Sequence, residues 1–245
     1  MQFLRSLVFT ILFYSLSLLF AAFLLLTAAI PMPLERRFAI GPRAWGSWNL
    51  WLLKAICGLG YTVEGRENLP AEPFIAMWKH SSTWETLAMM VIGPSAAWIQ
   101  KKEVLWIPLV GWATLVYKPI TIDRKAGHTS VNQVVTQGIE RLAQGLGVLI
   151  YPEGTRMPPG QTRKYGISGA LLATRSGRLA VPIAHNAGYF WSKRGLLKHP
   201  GNIRVIIGPP IDATGRDPRE INECAQRWIE ETLADITAQP GGKPS

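Results

Sequence analysis

The segment Lys79-His80-Ser81-Ser82-Thr83-Trp84-Glu85 places an imidazole five positions before a carboxylate. An imidazole held by an acid is what a general base needs, because the carboxylate fixes the tautomer and stabilises the imidazolium that forms. The spacing restricts the geometry. Five residues of regular helix turn by about 140°, so the two groups would diverge if both were helical. His80 must therefore lie in a strand-to-helix loop and bend back over the helix start. Ser82-x-x-Glu85 also has the form of a capping box, in which the glutamate satisfies a backbone donor; the two roles are compatible.

A second cluster is Tyr151-Pro152-Glu153-Gly154-Thr155-Arg156. Gly154 lets a backbone approach a ligand, Thr155 offers a hydroxyl, and Arg156 offers a planar fork suited to phosphate. Glu153 is better suited to orienting its neighbours than to touching an anion. Between the clusters lie Lys101 and Arg124, cations that could join the same pocket, and Asp123, which could pair with Arg124 or another cation.

These side chains need a frame. Short apolar runs at 73–78, 96–99, 119–122, 148–151, 179–183 and 203–207 read as buried strands. Helical stretches at 83–91, 129–144 and 167–175 lie between them. A last helix begins near Pro218 and carries Ile221, Ala225, Trp228, Thr232 or Leu233, and Ile236 at helical spacing, a core-packing stripe. The alternation implies an α/β fold with a mixed, mostly parallel sheet flanked by helices. No Gly-x-Ser-x-Gly elbow marks a nucleophile, which disfavours a hydrolase. Neither Cys57 nor Cys224 has metal-ligand spacing, so no metal site is expected, and the pair fits a reducing compartment.

Taken together the blocks resemble the glycerolipid acyltransferase family, most closely its bacterial 1-acylglycerol-3-phosphate acyltransferases. His80 and Glu85 match its His-x4-acid motif. Lys101, Glu103, Pro108, Gly111, Ile120, Ile122, Asp123 and Arg124 match a second block, and Pro152 to Arg156 match Phe-Pro-Glu-Gly-Thr-Arg. Val181, Pro182 and Ile183 match a closing Val-Pro-Ile element. Three positions depart: Glu85 stands where Asp is usual, Val104 for Leu, and Tyr151 for Phe. The resemblance implies acyl transfer from an acyl-CoA or acyl carrier protein thioester to lysophosphatidate, in a ternary complex without an acyl-enzyme and without a cofactor. It implies His80 as base, Glu85 as its holder, and Lys101, Arg124, Glu153, Gly154, Thr155 and Arg156 around the substrate. Glycerol 3-phosphate, another lysophospholipid or a lyso-amino-acid lipid would fit the same chemistry. A membrane-binding protein without catalysis is the alternative from another class.

The chain has 245 residues, 48% of them hydrophobic, and the excess is local. From Leu7 to Ile30 no residue is charged. A helix of that length reaches roughly 36 Å, enough for a hydrocarbon core of about 30 Å. The run is longer than the apolar region of a signal peptide, although Thr27-Ala28-Ala29 would suit cleavage. Pro42 to Gly60 adds a Trp-rich apolar segment, so residues 1–60 read as a membrane anchor, either one span or a two-helix embedded motif. Residues 61–238 are then the catalytic domain and 239–245 a flexible tail. Arg36, Arg37, Arg43 and Lys54 after the run, against Arg5 before it, put the catalytic domain on the cytoplasmic face of a bacterial inner membrane. The net charge of +10 suits anionic membrane lipid or an anionic substrate. Without a basic run or recognition motif it does not indicate nucleic acid.

Overall fold

The computed structural model describes residues 1–123, 127–193 and 195–244. Among them seven strands form one sheet: β1 (Leu59–Glu64), β2 (Ile75–Trp78), β3 (Ala96–Lys101), β4 (Ile120–Ile122), β5 (Gly147–Ile150), β6 (Ala180–His185) and β7 (Gly201–Ile207). Their spatial order is β1-β7-β6-β2-β5-β3-β4. Every neighbouring pair is parallel except β6 and β7. The mixed, mostly parallel sheet expected from the alternation is therefore present.

β2 and β5 are buried at every position, as central parallel strands covered on both faces must be. Their alternation divides the core. Ala76 and Trp78 of β2 face one apolar cluster, and Ile75 and Met77 face the other. The first cluster is built with α3 (Ala44–Cys57) and α4 (Trp84–Ile92). The second is built with α6 (His128–Ala143), α7 (Ser168–Ser176) and α9 (Pro218–Ala238). At the start of α9 the Asp217 carboxylate accepts the Arg219 N–H at 2.8 Å, and Pro218 occupies the first turn, where its missing N–H is not needed. Its buried stripe is Ile221, Ala225, Ile229, Leu233 and Ile236. Ile229 joins the stripe, and the half-buried Trp228 ring packs against the same cluster, over Gly208.

The N-terminal segment is α1 (Gln2–Leu26), then α2 (Leu34–Phe38), which runs into α3 through a widened turn at Ala39–Arg43. Gly41 and Pro42 break the helical ladder there, and Gly41 lies against the Tyr117 ring. α1 lies along the domain. Gln2 reaches the carbonyls of Cys57 and Lys198, Phe9 and Phe13 pack on Trp191, and Ser17 accepts the Trp45 indole N–H at 2.9 Å. Ala21 and Leu24 join a third cluster with Phe38, Ala113 and Tyr117. The tail expected to fray is tied at Gly242, which is buried and whose carbonyl accepts from Asn186 at 2.9 Å.

Candidate active site

All the parallel strands from β6 to β4 end at the same edge, and β2 and β5 are neighbours there. Met77 is opposite Ile150, so the loop carrying His80 and the loop carrying residues 151–156 leave the sheet side by side. Ligands of α/β sheets bind outside such carboxyl ends.

Glu85 sits in the first turn of α4 and is completely buried. Its Oε1 lies 2.9 Å from His80 Nδ1 and accepts the Ser81 and Ser82 N–H groups at 2.9 and 2.8 Å. The hydroxyl of Ser82 accepts from the Trp84 N–H at 3.0 Å. One glutamate thus ties down the loop before the helix and holds the histidine, and the loop bends back as the spacing requires. The extra methylene relative to Asp does not prevent contact. Burial alone would raise the Glu85 carboxyl, but the hydrogen bond from His80, the neighbouring His185 and the Ser82 amide outweigh it and keep the pKa below the ordinary range. An ionised carboxylate only accepts, so Nδ1 carries the hydrogen and Nε2 keeps a lone pair. The His80 ring stacks on Tyr151 at 4.0 Å and 13°, which fixes its plane.

The loop is clamped from beyond. Ser82 Oγ donates to the Trp191 carbonyl at 2.6 Å, and α8 (Ala187–Phe190) closes on Ser81 through Gly188. A Cβ at Gly188 would lie 2.8 Å from the Ser81 side chain, so only glycine allows this approach. His185, fully buried behind the loop, accepts the Ala187 N–H at Nδ1 and donates from Nε2 to the Lys79 carbonyl at 2.8 Å. Burial keeps its pKa below the ordinary histidine value, in keeping with that neutral form.

The second cluster wraps the first. Glu153 Oε1 accepts the His80 backbone N–H at 3.1 Å, and the Met157 N–H donates to the His80 carbonyl at 2.7 Å. Gly154 turns the chain with a left-handed φ of 67°, which favours glycine. Thr155 and the half-buried Arg156 follow. Burial raises the Glu153 carboxyl to about 7 although Lys79, 3.3 Å away, opposes it.

His80, Glu85, Glu153, Gly154, Thr155 and Arg156 are thus gathered at one place. Lys101 is exposed at the end of β3, two strand spacings or roughly 10 Å of sheet from β2. Arg124 lies outside the described residues. Asp123 pairs with Lys102. Sequence reasoning gave no role to Lys79, Glu230 or Lys193. Lys193 Nζ donates to Thr155 Oγ1 at 3.1 Å and to the Arg156 carbonyl at 3.0 Å, adding a cation beside the motif. Lys79 stood in the His80 heptapeptide, while Glu230 and Lys193 are joined to the site only by tertiary folding.

An imidazole with an open nitrogen, held by a buried carboxylate and tied to a loop bearing an arginine, can remove a proton from a hydroxyl near an anionic group. Known proteins point the same way. The chain is 41% identical over 209 residues to the 1-acyl-sn-glycerol-3-phosphate acyltransferase of Pseudomonas aeruginosa, covering 84% of this chain and 81% of that one. It is 28% identical to the chloroplastic LPAT1 of Arabidopsis thaliana over 180 residues, 71% of this chain and about half (49%) of the plant protein. The crystal structure of the Thermotoga maritima 1-acyl-sn-glycerophosphate acyltransferase has the same fold, with a TM-score of 0.81, 21% identity, and coverage of 98% of this chain and 99% of that one. With the sequence profile described as Acyltransferase also matching residues 60–186, the chain belongs to the acyltransferase family.

Proposed function

We propose that this protein transfers a fatty acyl group from an acyl thioester, of coenzyme A or acyl carrier protein, to the sn-2 hydroxyl of 1-acylglycerol 3-phosphate, giving phosphatidate. The observation that carries this reading is the His80–Glu85 pair fastened by the Met157 N–H to the loop of Thr155 and Arg156. Substrate names of the relatives support the same acceptor. His80 Nε2 takes the hydroxyl proton as the oxygen attacks the thioester carbonyl. The tetrahedral adduct collapses, the carbon–sulfur bond breaks, and His80 returns the proton to the thiolate. Glu85 stabilises the imidazolium meanwhile. Arg156, Thr155 and Gly154 hold the phosphate, Glu153 orients the loop, Lys101 adds charge farther along the same sheet edge, and Arg124 is a further cation for the substrate by its place in the sequence block.

Residues 1–60 serve as the anchor and 61–238 as the catalytic domain; the cationic bias after the apolar run, with Arg36 and Lys54 exposed, supports a cytoplasmic face for that domain. α1 is long and apolar enough to cross a membrane, yet it touches the domain from Gln2 to Leu24. Its outer residues Phe3, Leu4, Ile11 and Leu19 are exposed, as are Trp48 and Trp51 of α3. That arrangement favours embedding in one leaflet of an anionic membrane over spanning, with both lipids reached without leaving the bilayer. An apolar groove of about 130 Å³ between α1, α3, α4 and α5 (Val110–Leu115), lined by Phe20, Trp45, Met90 and Trp98, suits an acyl chain.

The test is acyl transfer by purified protein in detergent, offering lysophosphatidate and glycerol 3-phosphate separately with each thioester, beside His80→Ala. Phosphatidate from lysophosphatidate alone, abolished in the variant, is expected. Absence of product with both thioesters would overturn the acceptor; an active variant would overturn the role of His80.

A further inference from the structure

Behind the base lies a charged cluster in which Lys79 and Glu230 have no part in the transfer as described. Lys79 precedes His80 at the end of β2 and is 1% exposed. Its ammonium lies 2.6 Å from Glu230 Oε1 on α9 and 3.3 Å from Glu153 Oε1. The same Glu230 oxygen accepts the Tyr165 hydroxyl at 2.7 Å and the Thr162 hydroxyl at 2.9 Å. The contacts make a chain: Glu230 to Lys79, Lys79 to Glu153, and Glu153 to the His80 N–H.

We infer that Lys79 and Glu230 are positioning residues, through which helix α9 fixes the backbone of His80 and so sets the rate of the proposed transfer. This rests on the functional reading above. The segment matched to the family profile ends at residue 186, whereas Glu230 lies beyond it, so the profile assigns this helix no part. Burying an ammonium and a carboxylate beside a second, partly exposed carboxylate is costly, and an apolar trio of similar volume often packs as well. What the charged trio adds is direction. Lys79 holds Glu153 where its Oε1 meets the His80 amide, and Glu230, itself fixed by the Tyr165 and Thr162 hydroxyls, holds Lys79.

Electrostatics support the geometry. Glu153 is faced by Lys79 and His80 from the end of β2, by Tyr151 from its own loop, with Arg156 acting on that tyrosine, and by Tyr165 from the segment before α7; Glu230 of α9 stands behind Lys79. Even with Lys79 present burial raises Glu153 to about 7. Without the ammonium it is protonated at neutral pH and becomes a weaker acceptor for the His80 N–H.

The experiment compares full-length wild type, Lys79→Met, Glu230→Leu and Glu230→Gln in detergent, reading kcat and KM for lysophosphatidate across pH. In Lys79→Met kcat falls by about tenfold to a hundredfold. KM changes by less than about twofold because no phosphate contact is lost. The acidic limb of kcat moves up by about one pH unit or more. Glu230→Leu lowers kcat less, and Glu230→Gln restores most of it, since the amide oxygen still accepts from Lys79, Tyr165 and Thr162. Wild-type kcat and pH profile in Lys79→Met would overturn the inference. So would activity lost only in proportion to folded protein, with the wild-type profile retained. If Lys79→Met does not fold, Glu230→Leu, at a partly exposed side chain, decides by the same profile. A substrate-free reading separates this inference from the assigned acceptor. The rate of His80 carbethoxylation by diethyl pyrocarbonate rises in Lys79→Met if the loop is released, and equal rates reject the positioning role even if the wild type ignores lysophosphatidate.

Discussion

Glu85 and Glu153 are both buried glutamates, both bonded to the loop of His80, yet their acidities move in opposite directions. Glu85 stays below the ordinary range and Glu153 rises to about 7. Burial does not separate them, since Glu85 is 0% and Glu153 3% exposed. The donors do. Glu85 Oε1 collects the His80 imidazole N–H and two amides within 2.9 Å. Glu153 Oε1 has the His80 amide at 3.1 Å and an ammonium at 3.3 Å that stands closer to Glu230. A carboxylate supplied with three short donors stays ionised inside a protein; one that shares its cation titrates near neutrality. The first can serve as a fixed negative charge for the imidazolium, and the second responds to pH near neutrality.

The largest expected effect follows from the first half of that contrast. Glu85→Gln keeps the side-chain volume and one acceptor oxygen but removes the charge that stabilises protonated His80. The kcat for acyl transfer is expected to fall by about a hundredfold to ten-thousandfold with KM little changed. Steady-state kinetics at neutral pH measure it, and a loss below about tenfold would mean that the imidazolium does not need Glu85.

The second half gives a stability signature as well as a smaller kinetic one. The pKa of Glu153 in the fold, about 7, lies above the ordinary glutamate value of 4.5, so its ionisation opposes folding. Its contribution is full below about 4.5 and is lost as pH rises through about 7, a change of roughly 3 kcal/mol at most. Glu85 has the opposite sign: its contribution is present above the ordinary glutamate range and is lost as pH falls through its lowered value. Glu153→Gln should therefore flatten the melting temperature between about pH 4.5 and about pH 7, and lower kcat by about tenfold. Thermal unfolding across pH reads the first. An unchanged slope would show that Glu153 is ionised throughout.

The contrast between the two acids also marks how far the sequence could be read. Glu85 was found because its partners lie within five residues, where helix geometry and capping rules apply. The sheet was readable because β2 and β5 are continuous apolar runs buried on both faces. β1 was missed: it is an edge strand, half exposed, and Leu59-Gly60-Tyr61-Thr62-Val63-Glu64 has no such run. The cluster behind Glu153 was not visible, because Lys79 lies 74 positions away (79 to 153) and Glu230, which holds Lys79, reaches it only when α9 packs on β6. The same holds for Lys193, brought to Thr155 by the excursion between β6 and β7. Short-range chemistry is written in spacing; charge pairing across elements is written only in packing.

Both acids act through one loop, so its rigidity is a condition of the contrast. Gly188→Ala would set a Cβ 2.8 Å from the Ser81 side chain and push α8 from the loop. The expected cost is about 1–3 kcal/mol of stability, with kcat reduced severalfold. Denaturant titration checks the first, and a variant as stable as wild type would show that the loop yields at no cost.

The smallest effect belongs to a residue outside both acids and serves as their control. Lys193 donates to the Thr155 hydroxyl, so that oxygen is already an acceptor and its own hydrogen is free to be directed toward an anion. The ammonium also keeps its charge beside Arg156, whose carbonyl it holds at 3.0 Å. Lys193 is exposed, so water and salt weaken its reach, and a surface cation is worth little unless its geometry is fixed. Lys193→Ala should raise KM for lysophosphatidate by about twofold to fivefold and leave kcat and its acidic limb in place. Added salt should erase the difference between variant and wild type. A shift of the acidic limb in this variant would mean that the cations of the 155–156 loop help set the state of Glu153, and Lys79 would then share with Lys193 the role of keeping that carboxyl ionised.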